Sequence, residues 1–165
     1  MIELRCYDIY DWEALSGDQL PRLRQLEAVS EDMVIGRVKL ADRPICEQDL
    51  RELYPTTPML YQLYVEKSMR SQRIGSMLMD ALERLAIDEG FRQQLLCVKP
   101  DNIVARAMYE KRGYTYIRPG GKELVKSVWH LKNSEGERVH VVELLPMIKY
   151  YPNASEQPNE VTNDG

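Results

Sequence analysis

The sequence is poor in the features that mark several large functional classes. Its three cysteines, Cys6, Cys46 and Cys97, are odd in number and form no Cys-x-x-Cys pair. That argues against a disulfide scaffold and against a zinc site, and the thiols are expected to be reduced. Histidine occurs twice, as the isolated His130 and His140, so structural or exposed roles are expected and no metal is called for. No apolar run approaches the roughly 20 residues of a membrane span, and Met1-Ile2-Glu3-Leu4-Arg5 does not open a signal peptide. The expectation is a cytoplasmic protein with no membrane partner. Nor is there a basic cluster. Three acids of the net charge of −4, Glu156, Glu160 and Asp164, lie in residues 151–165, which hold no Lys or Arg, so residues 1–150 carry −1. A nearly neutral body leaves no footprint for nucleic acid.

The chain has 165 residues, 44% of them hydrophobic. That suits one domain over residues 1–150, with a proline-, asparagine- and acid-rich tail, 151–165, expected to be disordered. Asn153-Ala154-Ser155 matches a glycosylation acceptor, a match without content unless the protein is secreted.

The informative stretch is residues 59–114. Met59–Val65 reads as a buried strand, apolar and aromatic behind Pro58. The apolar residues Ile74, Met77, Leu78, Ala81, Leu82 and Leu85 then share one face of a helix that ends at Glu89-Gly90. Its start is unusual. A helix N-terminus carries partial positive charge and favours acids and small polar caps, yet Lys67, Arg70 and Arg73 crowd it. Either these are solvated loop residues, or they hold an anion with the free N–H groups of the first turn, Gly75 allowing close approach. Gln93–Val98 follows as a strand parallel to the first, by the right-handed crossover rule. Asn102 caps a second helix on which Asn102, Ala105, Arg106 and Tyr109 form one stripe, with Val104, Ala107 and Met108 on the other side.

The run Leu63-x-Val65, Arg70-x-x-Arg73-x-Gly75, a helix, Leu95-Leu96-Cys97-Val98, Asn102, Ala105, Tyr109, Gly113 and Tyr114 resembles the central motif of the GNAT superfamily of acyl-CoA-dependent N-acetyltransferases. The usual signature is Gln/Arg-x-x-Gly-x-Gly/Ala, and Arg73 stands here at the first glycine place. The resemblance implies an α/β fold with a mixed, mostly antiparallel sheet and a central parallel strand pair flanked by helices. It implies acetyl-CoA as co-substrate, without a metal, and direct transfer to a primary amine. The cofactor would be held by Leu63, Tyr64 and Val65 along its pantetheine arm, in an opening where the parallel strands splay apart. Arg70, Ser71, Gln72, Arg73, Ile74, Gly75 and Ser76 would hold it at the helix mouth, and Asn102 and Arg106 on the second helix. Tyr109 would give a proton to the departing thiolate, which a phenol of ordinary pKa about 10 can do at neutral pH.

The amine must lose its proton before it attacks, and the available carboxylates near the expected site are Glu27 and Glu66, each equally readable as a solvated surface residue. Relatives place Glu or His near Tyr61; this chain has Tyr61 and Gln62 there. Other readings are transfer of a different acyl group, or a non-catalytic acyl-CoA-binding or regulatory domain. A relative acting on charged tRNA is disfavoured by the neutral body. The acceptor, a small-molecule or peptide amine, is not fixed by any residue.

Residues 2–7 alternate as a short half-buried strand, and 11–15 or 18–23 could each give a helical turn. Family members place two helices here that wall the acceptor side, and there is hardly room for them. Residues 24–30 and 33–40 form a hairpin across Glu31-Asp32, with Gly36 a bulge or a close approach. The connection 41–58, with a short helix at 47–54, is either a surface excursion or an acceptor-binding flap. Residues 114–117 begin a strand, and 122–131 with 138–145 form a last hairpin that lines the acceptor side or pairs a homodimer. Trp129 there is first a packing residue and only second an acceptor wall. Cys97 is a small core residue rather than a nucleophile.

Overall fold

The structure is a computed structural model that describes residues 1–9 and 21–152. The helical turns expected at 11–15 and, for the most part, at 18–23 lie outside the described residues. So do the tail from 153 onward and its Asn153-Ala154-Ser155 match.

The elements run β1 (Ile2–Ile9), β2 (Leu23–Ser30), β3 (Met33–Ala41), α1 (Gln48–Leu53), β4 (Met59–Val65), α2 (Ile74–Asp88), β5 (Gln93–Val98), α3 (Ile103–Lys111), β6 (Thr115–Tyr116), β7 (Val125–Asn133) and β8 (Gly136–Tyr150). The sheet order is β1-β2-β3-β4-β5-β8-β6, with β7 paired to the first half of β8. All pairings are antiparallel except β4–β5, as the helical crossover between those strands requires. The α/β architecture is therefore the mixed, mostly antiparallel sheet expected from the sequence.

The β2–β3 hairpin turns at Glu31 and Asp32, both at positive φ (51° and 65°), the backbone twist that suits a two-residue hairpin turn. Register shifts between Ala28 and Val29, where Ile35 is the extra residue. Gly36 beside it is a close approach: a Cβ there would lie 3.0 Å from Leu78 and 3.1 Å from Ile74. Bare backbone lets α2 settle on the sheet. The buried residues of α2 are Ile74, Leu78, Met79, Leu82, Glu83 and Ala86. The face is thus turned slightly from the expected one, towards Met79 and Ala86.

Three expectations differ from what is observed. β1 is an exposed edge strand rather than half-buried, with Leu4 and Tyr7 about two-fifths in solvent (41% and 42%). α3 packs through Ala105, Met108 and Tyr109, while Val104, on the side taken to be internal, is 82% exposed. And β8 runs on through Pro146 to Tyr150 instead of stopping at 145. Pro146 sits where β8 exchanges β7 for β5 and β6 as its neighbours, a change-over that tolerates a residue without an N–H.

A buried polar network fixes the end of α3. Gly113 (φ 97°) reverses the chain so that the Tyr114 hydroxyl reaches Glu83 at 2.8 Å and receives Gln94 at 3.0 Å. Arg112 and Lys149 also donate to Glu83, at 3.2 and 2.9 Å. The Tyr114 ring in turn meets Tyr109 edge-on, centroids 5.9 Å apart.

Candidate active site

β4 and β5 share a single register pair, Met59 with Leu95, and then part. The splay expected from the resemblance is present. Register with β3 is also interrupted: Lys39 faces Tyr61 and Arg37 faces Tyr64, leaving Gln62 and Leu63 without a partner on β3. Gln62 adopts φ 52°, so the bulge swings two peptide units out of both ladders at the edge of the opening. This bulge has no glycine or proline to announce it, and the sequence reading missed it.

A cavity of about 440 Å³ occupies the opening. It joins the two faces of the sheet. On one side it is lined by Leu63, Asn102, Ala105 and Tyr109, and on the other by Glu47, Tyr61, Ser127 and Trp129. Asn102 caps α3 as expected, accepting the Ala105 N–H at 3.2 Å. Tyr109 is 6% exposed, and burial, with no hydrogen bond to oppose it, pushes its phenol up to about 12. The group is therefore protonated throughout the neutral and mildly basic range.

Residues 70–76 lie past the end of β4 and do not line this cavity. Arg73 is the N-cap of α2 at φ 62°, ψ 21°, the left-handed conformation that glycine adopts without strain. The backbone thus keeps the shape of the glycine signature although the residue is arginine. Ser71 likewise has positive φ (74°). No side chain caps this helix and its first turn has no acid, so the N–H groups of Ile74, Gly75 and Ser76 receive no side-chain cap. Gly75 has room for a Cβ, its nearest neighbour being Val65 at 3.8 Å, so packing within the chain does not require glycine there. Arg70 donates to the Val65 carbonyl at 3.0 Å and lies with Arg37 over the Tyr64 ring, at 5.9 and 5.0 Å. Gln72 is exposed.

The remaining candidates are placed elsewhere. Arg106 donates to the Pro100 carbonyl at 2.8 Å and to Tyr116 at 2.9 Å, away from the cavity. Glu27 accepts from Tyr7 and from Gln25 on the β1–β2 surface. Glu66 is exposed, its N–H bonded to Ile35. Neither carboxylate lines the cavity.

The carboxylate that does is Glu47, the N-cap of α1. The segment before α1 is strapped to β7 by a bridge between Glu47 and Ser127 and by the Val128 N–H donating to Cys46 at 3.1 Å. Sequence reading passed over Glu47 because it stands alone in an irregular connection, and its partner Ser127 is eighty residues away. Its only local sign is an acid beside Ile45 and Cys46. Burial raises its carboxyl above the ordinary 4.5, opposed by hydrogen bonds from Tyr61, Cys46 and Ser127. A carboxyl whose folded pKa is raised contributes stability fully present below its unfolded value and lost as pH rises through the folded value. Thermal unfolding of wild type and Glu47→Gln should accordingly show the wild type losing ground as pH rises above about 4.5. A difference in Tm that stays flat over that range would show an unperturbed carboxyl.

The family described as acetyltransferase (GNAT) matches residues 4–114. No curated protein matches the sequence. Among solved structures, the PaiA N-acetyltransferase from Thermoplasma acidophilum in complex with coenzyme A is 18% identical, with TM-score 0.51 over 77% of this chain and 60% of that one. The IAA acetyltransferase from Bacillus cereus is 12% identical, with TM-score 0.57 over 90% of this chain and 99% of that one. The ribosomal-protein-alanine N-acetyltransferase from Brucella melitensis is 19% identical, with TM-score 0.52 over 78% and 68%. The chain spans 60% of the length of the first of these. At such identities the likeness concerns the fold.

Proposed function

The chain belongs to the GNAT acetyltransferase family, and on that premise we propose that it moves an acetyl group from acetyl-CoA to a primary amine by direct attack. The observation that carries the reading is the cavity between β4 and β5, which joins the Tyr109 side of the sheet to the side opposite. Donor and acceptor can meet there without a covalent enzyme intermediate.

The residues present suit a phosphorylated co-substrate. The uncapped first turn of α2, with Arg70 and Arg73 beside it, offers N–H groups and positive charge to a pyrophosphate. Leu63 and the bulge at Gln62 offer unpaired peptide groups to an amide-bearing arm and to a developing oxyanion. Asn102, at the cavity rim, is free to contact the same arm while it caps α3. Tyr109, buried and protonated, donates to the sulfur as it departs. When bound, acetyl-CoA supplies the thioester and its activated carbonyl.

Among the described residues no helix is long and apolar enough to cross a membrane. The proposal includes a cytoplasmic setting. It also includes a homodimer formed through the outer face of the β7–β8 hairpin, where Val139 and Val141 are 59% and 52% exposed.

The test is calorimetric titration with acetyl-CoA and with CoA, followed by thiol release on adding amines. Micromolar binding and amine-dependent thiol release are expected. No binding would end the proposal, and binding without release to any amine would favour an acyl-CoA-binding domain instead.

A further inference from the structure

Across the cavity from Tyr109, on the other side of the sheet, stand Glu47, Tyr61, Ser127 and Trp129. Glu47 is 1% exposed. Its Oε2 accepts from the Tyr61 hydroxyl at 2.9 Å and from the Cys46 N–H at 3.2 Å, and its Oε1 accepts from the Ser127 hydroxyl at 3.1 Å. The Ile45 N–H donates to the same Tyr61 hydroxyl at 2.9 Å, which leaves the phenol proton to point at Glu47. Polar groups thus converge on the carboxyl from three directions, while burial favours its protonated form until a cation stands beside it. Yet among the described residues no lysine or arginine pairs with it. A buried carboxylate with hydrogen bonds and no countercharge is strongly unfavourable, so it either holds a proton or takes a cation beside it. This one forms the wall of a cavity.

We propose that this side of the cavity is the acceptor subsite, and that it takes a small primary amine as its ammonium against Glu47, the amine's uncharged apolar body lying against Trp129. The proposal rests on the transferase reading and narrows it to a substrate class. The ammonium provides a countercharge in direct contact with Glu47, which Lys99, in the lining of the same cavity, does not pair with. The Trp129 indole, set edge-on to Tyr61 with centroids 6.0 Å apart, together with Val142 and Leu144 gives the body an apolar wall. A carboxylate on the carbon next to the amine would be forced close to Glu47 in a site of low dielectric. Amino acids are therefore refused where the corresponding amines are accepted.

In the reaction one proton passes from the nitrogen to Glu47, freeing the lone pair that forms the C–N bond as the C–S bond breaks. The sulfur takes the Tyr109 proton, the second nitrogen proton restores Tyr109, and Glu47 releases its own to solvent. Among the described residues, the titratable and charged groups that adjoin Glu47 or share its cavity are Cys46, Arg51 on α1, Tyr61 on β4, Cys97 on β5, Lys99 after it and His140 on β8. Burial holds the thiols of Cys46 and Cys97 and the phenol of Tyr61 above their ordinary values, so none of the three supplies a negative charge that competes with Glu47.

The experiment uses the whole chain saturated with CoA. It is titrated with 2-phenylethylamine and isobutylamine, and with phenylalanine and valine, which are the same bodies carrying a carboxylate. Acetylation by acetyl-CoA is followed across pH in parallel. The amines should bind at least about 100-fold more tightly than the amino acids, since like charges placed together are heavily penalised. Glu47→Gln should weaken the amines by about tenfold or more, shrink the preference to within about tenfold and abolish the inflection on the acid limb of kcat/KM. Glu47→Asp should keep much of the preference. Thermal unfolding confirms that both variants fold. Amine binding unchanged in a folded Glu47→Gln chain, or amino acids bound as well as amines, would overturn the inference and leave the transferase reading standing. So would a chain that releases thiol to other amines but to none of these. Failure to bind acetyl-CoA would overturn the transferase reading, and this inference with it.

Discussion

A Tyr109→Phe chain is expected to bind acetyl-CoA within about twofold of wild type and to lose about 10²- to 10⁴-fold in kcat, the range of a positioned general acid. The substitution removes one hydroxyl and keeps the ring. The ring's packing against Tyr114, at 5.9 Å between centroids, is therefore kept and the fold should not change. The phenol lines the cavity and has no hydrogen-bond partner among the described residues, and burial pushes its pKa up to about 12. That value is well above the roughly 8.5 of an ordinary thiol, so the tyrosine stays protonated through the neutral and mildly basic range. The wild-type pH profile should then show no loss of activity from tyrosine ionisation below about pH 10. Stopped thiol-release assays on both chains, with calorimetry for binding, check the result. A kcat unchanged in Tyr109→Phe would mean that water protonates the thiolate and that Tyr109 only packs.

The parts of the fold legible in the sequence were those set by periodicity and caps. The apolar spacing from Ile74 located α2, Asn102 located the start of α3, and the order strand, helix, strand implied that β4 and β5 are parallel. What stayed hidden depended on pairing between distant residues. The bulge at Gln62 arises because Lys39 faces Tyr61 while Arg37 faces Tyr64, a mismatch that no local composition records. Arg73 could be placed at a glycine position by resemblance, but not shown to adopt a glycine conformation. Glu47 is the clearest case. Its three hydrogen bonds come from a neighbour in the chain, a strand fourteen residues on and a hairpin eighty residues on, and only the folded sheet brings them together. Glu27 on the second strand and Glu66 just after the fourth lie on other surfaces, because a place on or beside a strand does not decide whether a carboxylate reaches the opening between β4 and β5.

The anion-holding turn gives the second large effect. An Arg70→Ala, Arg73→Ala chain should bind CoA about 10- to 100-fold more weakly, because two charge-assisted contacts to a pyrophosphate are lost. The same chain should bind S-acetylpantetheine, which has no phosphate, as the wild type does. The loss for CoA should also shrink as salt is raised, since both side chains are exposed. Arg73→Gly separates charge from shape. Glycine relieves the left-handed backbone at φ 62°, which should stabilise the fold by about 1 kcal/mol. It leaves Arg70 and the helix N–H groups in place, so the affinity for CoA should fall by less than in the double variant. Were S-acetylpantetheine weakened as much as CoA, the arginines would be acting on β4 through the Arg70 bond to the Val65 carbonyl and not on phosphate. The turn would then be a strut for the strand rather than a seat for the ligand.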